Sequence, residues 1–141
     1  MSGAESPVAG ACLCGAVRFE VELPTVFCAH CHCTMCQRNH GAAYVTWIGV
    51  PRDQLRVLSG ADGLTRYASS EHGSRSFCAS CGTSLFCENA QHPERVDIPL
   101  ANMLAAVDRA PQLHVHFGTR AAWIDVTNAL PRLGEDDTEP A

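Results

Sequence analysis

The sequence predicts a mainly β, single-domain protein of short antiparallel strands stapled by metal. Three observations lead there. The chain has 141 residues, enough for one domain with one real core. Its apolar residues fall into many short runs separated by Gly, Ser, Asn or Asp, the punctuation of turns between strands. Its nine cysteines sit mostly in two sets with the short spacings that metal sites use.

The strands can be read in order. Val17, Phe19, Val21 and Leu23 alternate with Arg18, Glu20 and Glu22, the period of a half-buried strand, and Pro24 ends it. After a cysteine cluster comes "AAYVTWIGV", rich in aromatic and β-branched residues, which reads as a buried strand closed by Pro51. Further strands are expected at Leu55–Leu58, Leu64–Tyr67, Arg75–Phe77, Thr83–Cys87, Val96–Leu100, His114–Phe117 and Trp123–Val126. "LANMLAAVD" is the one stretch with helix-like composition. Residues 1–10 read as a flexible lead-in, 11–134 as the domain, and 135–141 as an acidic, disordered tail.

Composition excludes several classes. Hydrophobic residues make up 46% and charged residues 18%, a globular balance. No apolar run is long enough to span a bilayer, so no membrane role is expected. The start "MSGAESPVAGAC" lacks a basic n-region and an apolar h-region, which makes the cytoplasm the expected location. Thiols stay reduced there, so clustered cysteines indicate metal or catalysis before disulfides. The net charge is −5, and four of the acids, Glu135, Asp136, Asp137 and Glu139, lie in the tail. No basic stripe is present, so nucleic acid is not an expected partner. All ten basic residues are arginine, which excludes Schiff-base and phosphate-loop lysine chemistry.

The first cysteine set is Cys12-x-Cys14 and Cys78-x-x-Cys81, each followed by a glycine. Two such knuckles facing each other make a closed four-sulfur cage, the usual structural zinc site. The second set is Cys31-x-Cys33-x-x-Cys36. Three thiolates leave one tetrahedral position open, as catalytic zinc sites do. Cys28-x-x-Cys31 is also a knuckle spacing, so a closed cage of Cys28, Cys31, Cys33 and Cys36 competes with the open site. His30 and His32 can also contribute nitrogen.

"CLCGAVRF", "CHCTMCQRNHGAAY", "FCASCGTSLF" and "HVHFGTRAAW" follow one another over roughly residues 11–131. This ordered set resembles the glutathione-dependent formaldehyde-activating enzyme family, whose domain is shared with centromere protein V. The resemblance implies a β-tent of small antiparallel sheets around zinc, two ions per chain. It implies structural ligands Cys12, Cys14, Cys78 and Cys81, catalytic ligands Cys31, Cys33 and Cys36, and Cys28 as a spare thiol. It also implies a carbon–sulfur lyase of the S-(hydroxymethyl)glutathione synthase type, acting on glutathione and formaldehyde or a related small aldehyde. Two departures fall near the expected site: Gln37 stands where arginine commonly follows the third cysteine, and Ala121-Ala122 replaces a proline-containing approach to Trp123.

Physical chemistry bounds that reaction. Three thiolates on a zinc ion leave a net charge near −1, a poor Lewis acid but a fair host for a fourth thiolate. A free thiol of pKa about 8.5 is already about one-tenth ionised near pH 7.5, so ionisation alone gains about tenfold. Larger gains must come from positioning. His32 and His40 flank the cluster and can move protons, although hydrogen-bonded structural roles are the simpler expectation. Arg38 and Arg120 can pair with the carboxylates of a tripeptide such as glutathione. His114 and His116 are expected on a solvent face, Tyr44 and Trp123 in the core, and Cys87 as a small buried hydrophobe. The competing readings are a non-catalytic zinc-stabilised binding module and a thiol or zinc redox sensor.

Overall fold

Short runs of β-branched and aromatic residues do form short strands. The computed structural model describes residues 6–134. The strands are β1 (Val8–Ala11), β2 (Arg18–Val21), β3 (Phe27–Cys31), β4 (Val45–Pro51), β5 (Leu55–Ser59), β6 (Leu64–Ala68), β7 (Gly73–Cys78), β8 (Ser84–Asn89), β9 (Arg95–Pro99) and β10 (Leu113–Val115). One α-helix, α1 (Thr34–His40), joins β3 to β4. Among the described residues, no helix is long and apolar enough to cross a membrane.

The strands form two sheets. The smaller has the order β1-β2-β5, and both of its pairings are antiparallel. The larger has the order β10-β3-β4-β9-β8-β7-β6. Within it β8 and β9 meet at a single paired position, Cys87 with Asp97. One pairing departs from the antiparallel expectation: β10 runs parallel to β3, with Leu113, His114 and Val115 beside Ala29, His30 and Cys31.

Side-chain alternation places a core on each face of the large sheet. One core holds Val17, Phe19 and Val21 of the small sheet region against Cys28, Ile48, Val50, Leu85, Val96 and Ile98. The other holds Phe27, Ala29, Cys31, Val45, Trp47 and Val115 against Cys36 of α1. Strand β4 feeds both cores, which is why its sequence is nearly continuous in apolar residues rather than alternating. Gly49 completes the second core, because a Cβ there would run into the Phe27 ring.

Several expectations are corrected. The lead-in is partly ordered: β1 begins at Val8 and pairs with β2 through Val8–Val21 and Gly10–Phe19. Its alternation is weak in sequence because Ala and Gly fill the positions facing bulky partners. "LANMLAAVD" is not a helix. It makes one 3-10 turn at Leu100–Asn102, and Met103 bridges to Gly10. Trp123–Val126 is not a strand, and Trp123 is 73% exposed rather than core. β10 stops at Val115 because His116 turns into the left-handed region, φ 53°. The expected tail, 135–141, and residues 1–5 lie outside the described residues.

Candidate metal centres

The first knuckle follows β1 and the second ends β7, and the two are built alike. Cys12 N–H donates to Val17 O at 3.1 Å, and Cys78 N–H donates to Thr83 O at 3.0 Å. Each turn closes on a glycine in the left-handed region, Gly15 at φ 80° and Gly82 at φ 81°, where a side chain would be strained. The four sulfurs of Cys12, Cys14, Cys78 and Cys81 all lie within 4.8 Å of one another. Cys12 Sγ and Cys14 Sγ are 3.7 Å apart, and Cys14 Sγ and Cys78 Sγ are 3.9 Å apart. A tetrahedral zinc with sulfur at about 2.3 Å places neighbouring sulfurs about 3.8 Å apart, so the cage has the size that zinc requires. Outer donors favour thiolate: Val17 N–H lies 3.3 Å from Cys12 Sγ. The Thr83 hydroxyl, 3.2 Å from Cys81 Sγ, leads the contacts that bring the Cys81 thiol down to about 5.

The second cluster is assembled by one corner of chain. Cys31 ends β3, Cys33 is the N-cap of α1, and Cys36 lies in the first helical turn. Cys36 N–H donates to Cys33 Sγ at 3.3 Å, a capping bond made by sulfur. Gly41, at φ 61°, ends the helix with its N–H on Gln37 O. The three sulfurs lie within 4.8 Å of one another, with Cys31 and Cys36 at 3.6 Å. Hydrogen bonds from the Cys31 and Cys36 thiols hold Cys33 far below the ordinary thiol range. The same bonds, with burial, push Cys31 up. A set of thiols that shares its protons in this way is a set in which a cation can replace them.

Cys28 does not join this cluster. It lies three residues before Cys31 on a strand, so the two side chains leave opposite faces. Cys28 is fully buried in the first core beside Ile48 and Leu85, and burial raises its thiol to about 11. The closed cage of Cys28, Cys31, Cys33 and Cys36 is therefore not the arrangement observed.

Histidine pins the corner from behind. His32 is fully buried, and its N–H donates to Val115 O at 3.0 Å. Its carbonyl accepts from Gln37 Nε2 at 2.8 Å and from the Thr119 hydroxyl at 3.1 Å. Asn128 Oδ1 accepts Leu130 N–H at 3.1 Å and faces His114 Nε2 at 2.9 Å, so His114 donates there. His114 Nδ1 is then the acceptor for His32 Nε2–H at 2.8 Å. Burial leads the causes that lower His32 to about 4, so it is neutral at physiological pH. His114 is also buried, not on a solvent face, because β10 is covered by the returning segment at Pro131–Leu133. Gln37 joins this lock through Thr119 O at 3.0 Å, which accounts for an amide at that position.

A cleft of about 380 Å³ opens in front of the triad where β8 and β9 meet. Cys31, Cys33, Cys36, Trp47, Arg75 and His116 contribute to its wall. Arg75 escaped sequence reasoning, because nothing in "GSRSF" distinguishes a buried arginine from a surface one. It is 8% exposed, its Nη2 lies 3.4 Å from Cys36 Sγ, and its guanidinium lies 5.8 Å from the Trp47 ring centre. Of the sequence candidates, His40 sits edge-on to Trp47, and burial lowers it to about 4. Arg38 is exposed and lines a neighbouring hollow. Arg120 stacks on Phe117 at 4.5 Å. Tyr44 is half-buried among the histidines, and Cys87 is half-buried on the cleft wall.

Two sulfur clusters, one complete and one with a side open to a cleft, define a small β-protein able to hold metal at two places. The sequence model of the glutathione-dependent formaldehyde-activating enzymes matches residues 7–119. The chain belongs to that family. A Halomonas elongata protein, provisionally named as a glutathione-dependent formaldehyde-activating enzyme, is 29% identical over 126 residues, 83% of this chain and 79% of that protein. An uncharacterized lyase of Schizosaccharomyces pombe is 32% identical over 79 residues, 55% of this chain and 54% of that one. A crystal structure of a Rhodobacter sphaeroides protein superposes with a TM-score of 0.60 at 29% identity, covering 70% of this chain and 89% of the other.

Proposed function

We propose that the chain is a zinc-dependent carbon–sulfur lyase that adds a thiol, glutathione in the family's reaction, to formaldehyde or a related small aldehyde. The observation that carries this reading is the open three-sulfur cluster facing a cleft, with Cys28 turned to the opposite face of β3. In it, Cys12, Cys14, Cys78 and Cys81 hold a structural zinc, and Cys31, Cys33 and Cys36 hold a second. A zinc ion held by the triad would supply an open coordination position at which an incoming thiol binds in its ionised form.

The chain's own residues do the rest. The β3–α1 corner, pinned by His32 and Gln37, keeps three sulfurs on one side and leaves the cleft side free. His116 lines the same cleft as Cys33. That places an imidazole where the proton of an incoming thiol can be taken up. The thiolate sulfur then attacks the aldehyde carbon. The carbon–sulfur bond forms, the carbonyl π pair moves to oxygen, and that oxygen takes the proton. No atom is lost, so the reverse reaction is the lyase direction.

Holding the two reactants together is the main source of rate, because ionisation alone gains so little. The test is aldehyde consumption with glutathione, with the spontaneous rate subtracted. An excess that vanishes in Cys33→Ala supports the reading. Wild type no faster than Cys33→Ala ends it, and leaves a metal-stabilised binding module.

A further inference from the structure

Arg75 has more hydrogen-bonding capacity than its fold uses. Its side chain sits on the central part of β7, paired with Tyr67 and Cys87 on the neighbouring strands. A guanidinium carries five N–H donors. Nη2 reaches Cys36 Sγ, whereas Nε and Nη1 are buried with no partner among the described residues. The contact with Cys36 Sγ uses one donor, and three remain on Nε and Nη1. Unmet donors on a buried charged group are costly, and they are retained where a ligand completes them.

The surroundings indicate what that ligand is. The cleft also contains two carboxylates, but each has its own arginine: Arg52 holds Glu88 at 2.7 Å, and Arg95 holds Asp97 at 3.0 Å. Neither is left to satisfy Arg75. The guanidinium is fixed by the Trp47 ring on its face and by Cys36 at its edge, so its unpartnered donors are already ordered. They are also one side chain away from the sulfur cluster. Planar, ordered, buried donors of this kind suit a carboxylate.

We propose that Arg75 binds a carboxylate of the thiol substrate, so that the chain selects small thiols that carry a carboxylate near the sulfur. This rests on the reading in which a thiol binds at the triad. It also removes an electrostatic problem in that reading. Three thiolates and one divalent ion carry a net charge near −1, so an anionic thiol would otherwise bind worse than a neutral one of the same size. Arg75 reverses that order. Arg38 and Arg120, the arginines suggested by the sequence, are outside this contact, one on the helix surface and the other stacked on Phe117.

Calorimetry tests this on the full chain with two metal equivalents verified. The probes are 3-mercaptopropionate, 2-mercaptoethanol and cysteamine, which are anionic, neutral and cationic thiols of similar size. Wild type is expected to bind the anionic thiol about tenfold or more tighter than the neutral one, with the cationic thiol weakest. Arg75→Gln should lose or reverse that order while keeping both metals and its affinity for 2-mercaptoethanol. If Arg75→Gln fails to hold the second metal, Arg75→Lys is used instead, and a severalfold smaller preference is expected. A wild type that binds anionic and neutral thiols equally overturns the assignment of Arg75. So does a preference that survives intact in the variant. In both cases the triad still binds thiols, and the proposed function stands. Absence of binding by any thiol removes the function and this inference together.

Discussion

The two sulfur clusters use the same side chain in opposite ways. The four-thiol cage takes its members from distant parts of the chain, with Cys14 and Cys78 separated by 64 positions. It joins the end of β1 in the small sheet to the end of β7 in the large one, and Cys14 is exposed at its rim. The three-thiol cluster comes from one turn of chain, is mostly buried, and opens on a cleft. A clip stabilises a fold by closing a long loop, and a complete ligand set maximises that effect. The three-thiol cluster needs neither, because its neighbourhood is already fixed by packing and by the His32–Gln37 lock. The difference teaches that the origin of the ligands, as well as their number, is what the proposed division into a fastening site and a reacting site rests on.

The largest effect should come from attacking the clip. Cys78→Ala or Cys81→Ala is expected to unfold the domain or leave it insoluble, because a structural metal contributes several kcal/mol or more against a total of about 5–15 kcal/mol. Cys33→Ala should keep its β-sheet circular dichroism and lose the second metal, with about 1 kcal/mol of further cost for the lost helix cap. Equal unfolding of the two classes of variant would break the comparison.

Metal removal gives a smaller contrast on one molecule. A mild chelator should take one equivalent from the three-thiol cluster while circular dichroism stays unchanged, and a strong chelator should then unfold the chain. Loss of fold in step with the first equivalent would reverse the roles of the clusters.

Cys28→Ser sharpens the boundary of the triad. Both metals should remain, because Cys28 lies on the other face of β3. Thermal stability should fall by roughly 1–3 kcal/mol from a hydroxyl placed in an apolar core. A loss of metal with no loss of stability would restore Cys28 as a ligand. A stability effect of similar size is expected from Gln37→Ala, and the smallest effect on metal content. It removes two bonds to the carbonyls of His32 and Thr119, at about 0.5–1.5 kcal/mol each. Metal should leave the triad faster in that variant, while the four-thiol cage exchanges at its usual rate.

The clusters were legible because metal ligation leaves its spacing in the chain: knuckles with glycines, and a CxCxxC run. The central strands were legible because their periodicity is two, or because β4 is apolar throughout. What escaped depends on contacts distant in sequence. β1 is small residues whose alternation is set by the Phe19 ring opposite Gly10. α1 is seven residues without an apolar stripe, and its signals were a Gly41 stop and basic residues in the last turn. The open-or-closed question at Cys28 turned on strand parity, which required β3 to be recognised as a strand through its second cysteine, Cys31. Arg75 was invisible because burial of an arginine is a property of the three strands around it.

The distance between the two knuckles also sets an order in time. Synthesis runs from the N-terminus at roughly 5–20 residues/s, so 64 positions correspond to about 3–13 s. For that interval Cys12 and Cys14 stand on a nascent chain whose second knuckle is not yet made. Cys31, Cys33 and Cys36 emerge together, six residues from first to last, and need nothing made later to meet one another. The three-thiol cluster is therefore the first able to capture an ion, and the four-thiol cage is the last. Chains arrested on the ribosome before Cys78 should carry metal on the three-thiol cluster with no folded domain around it.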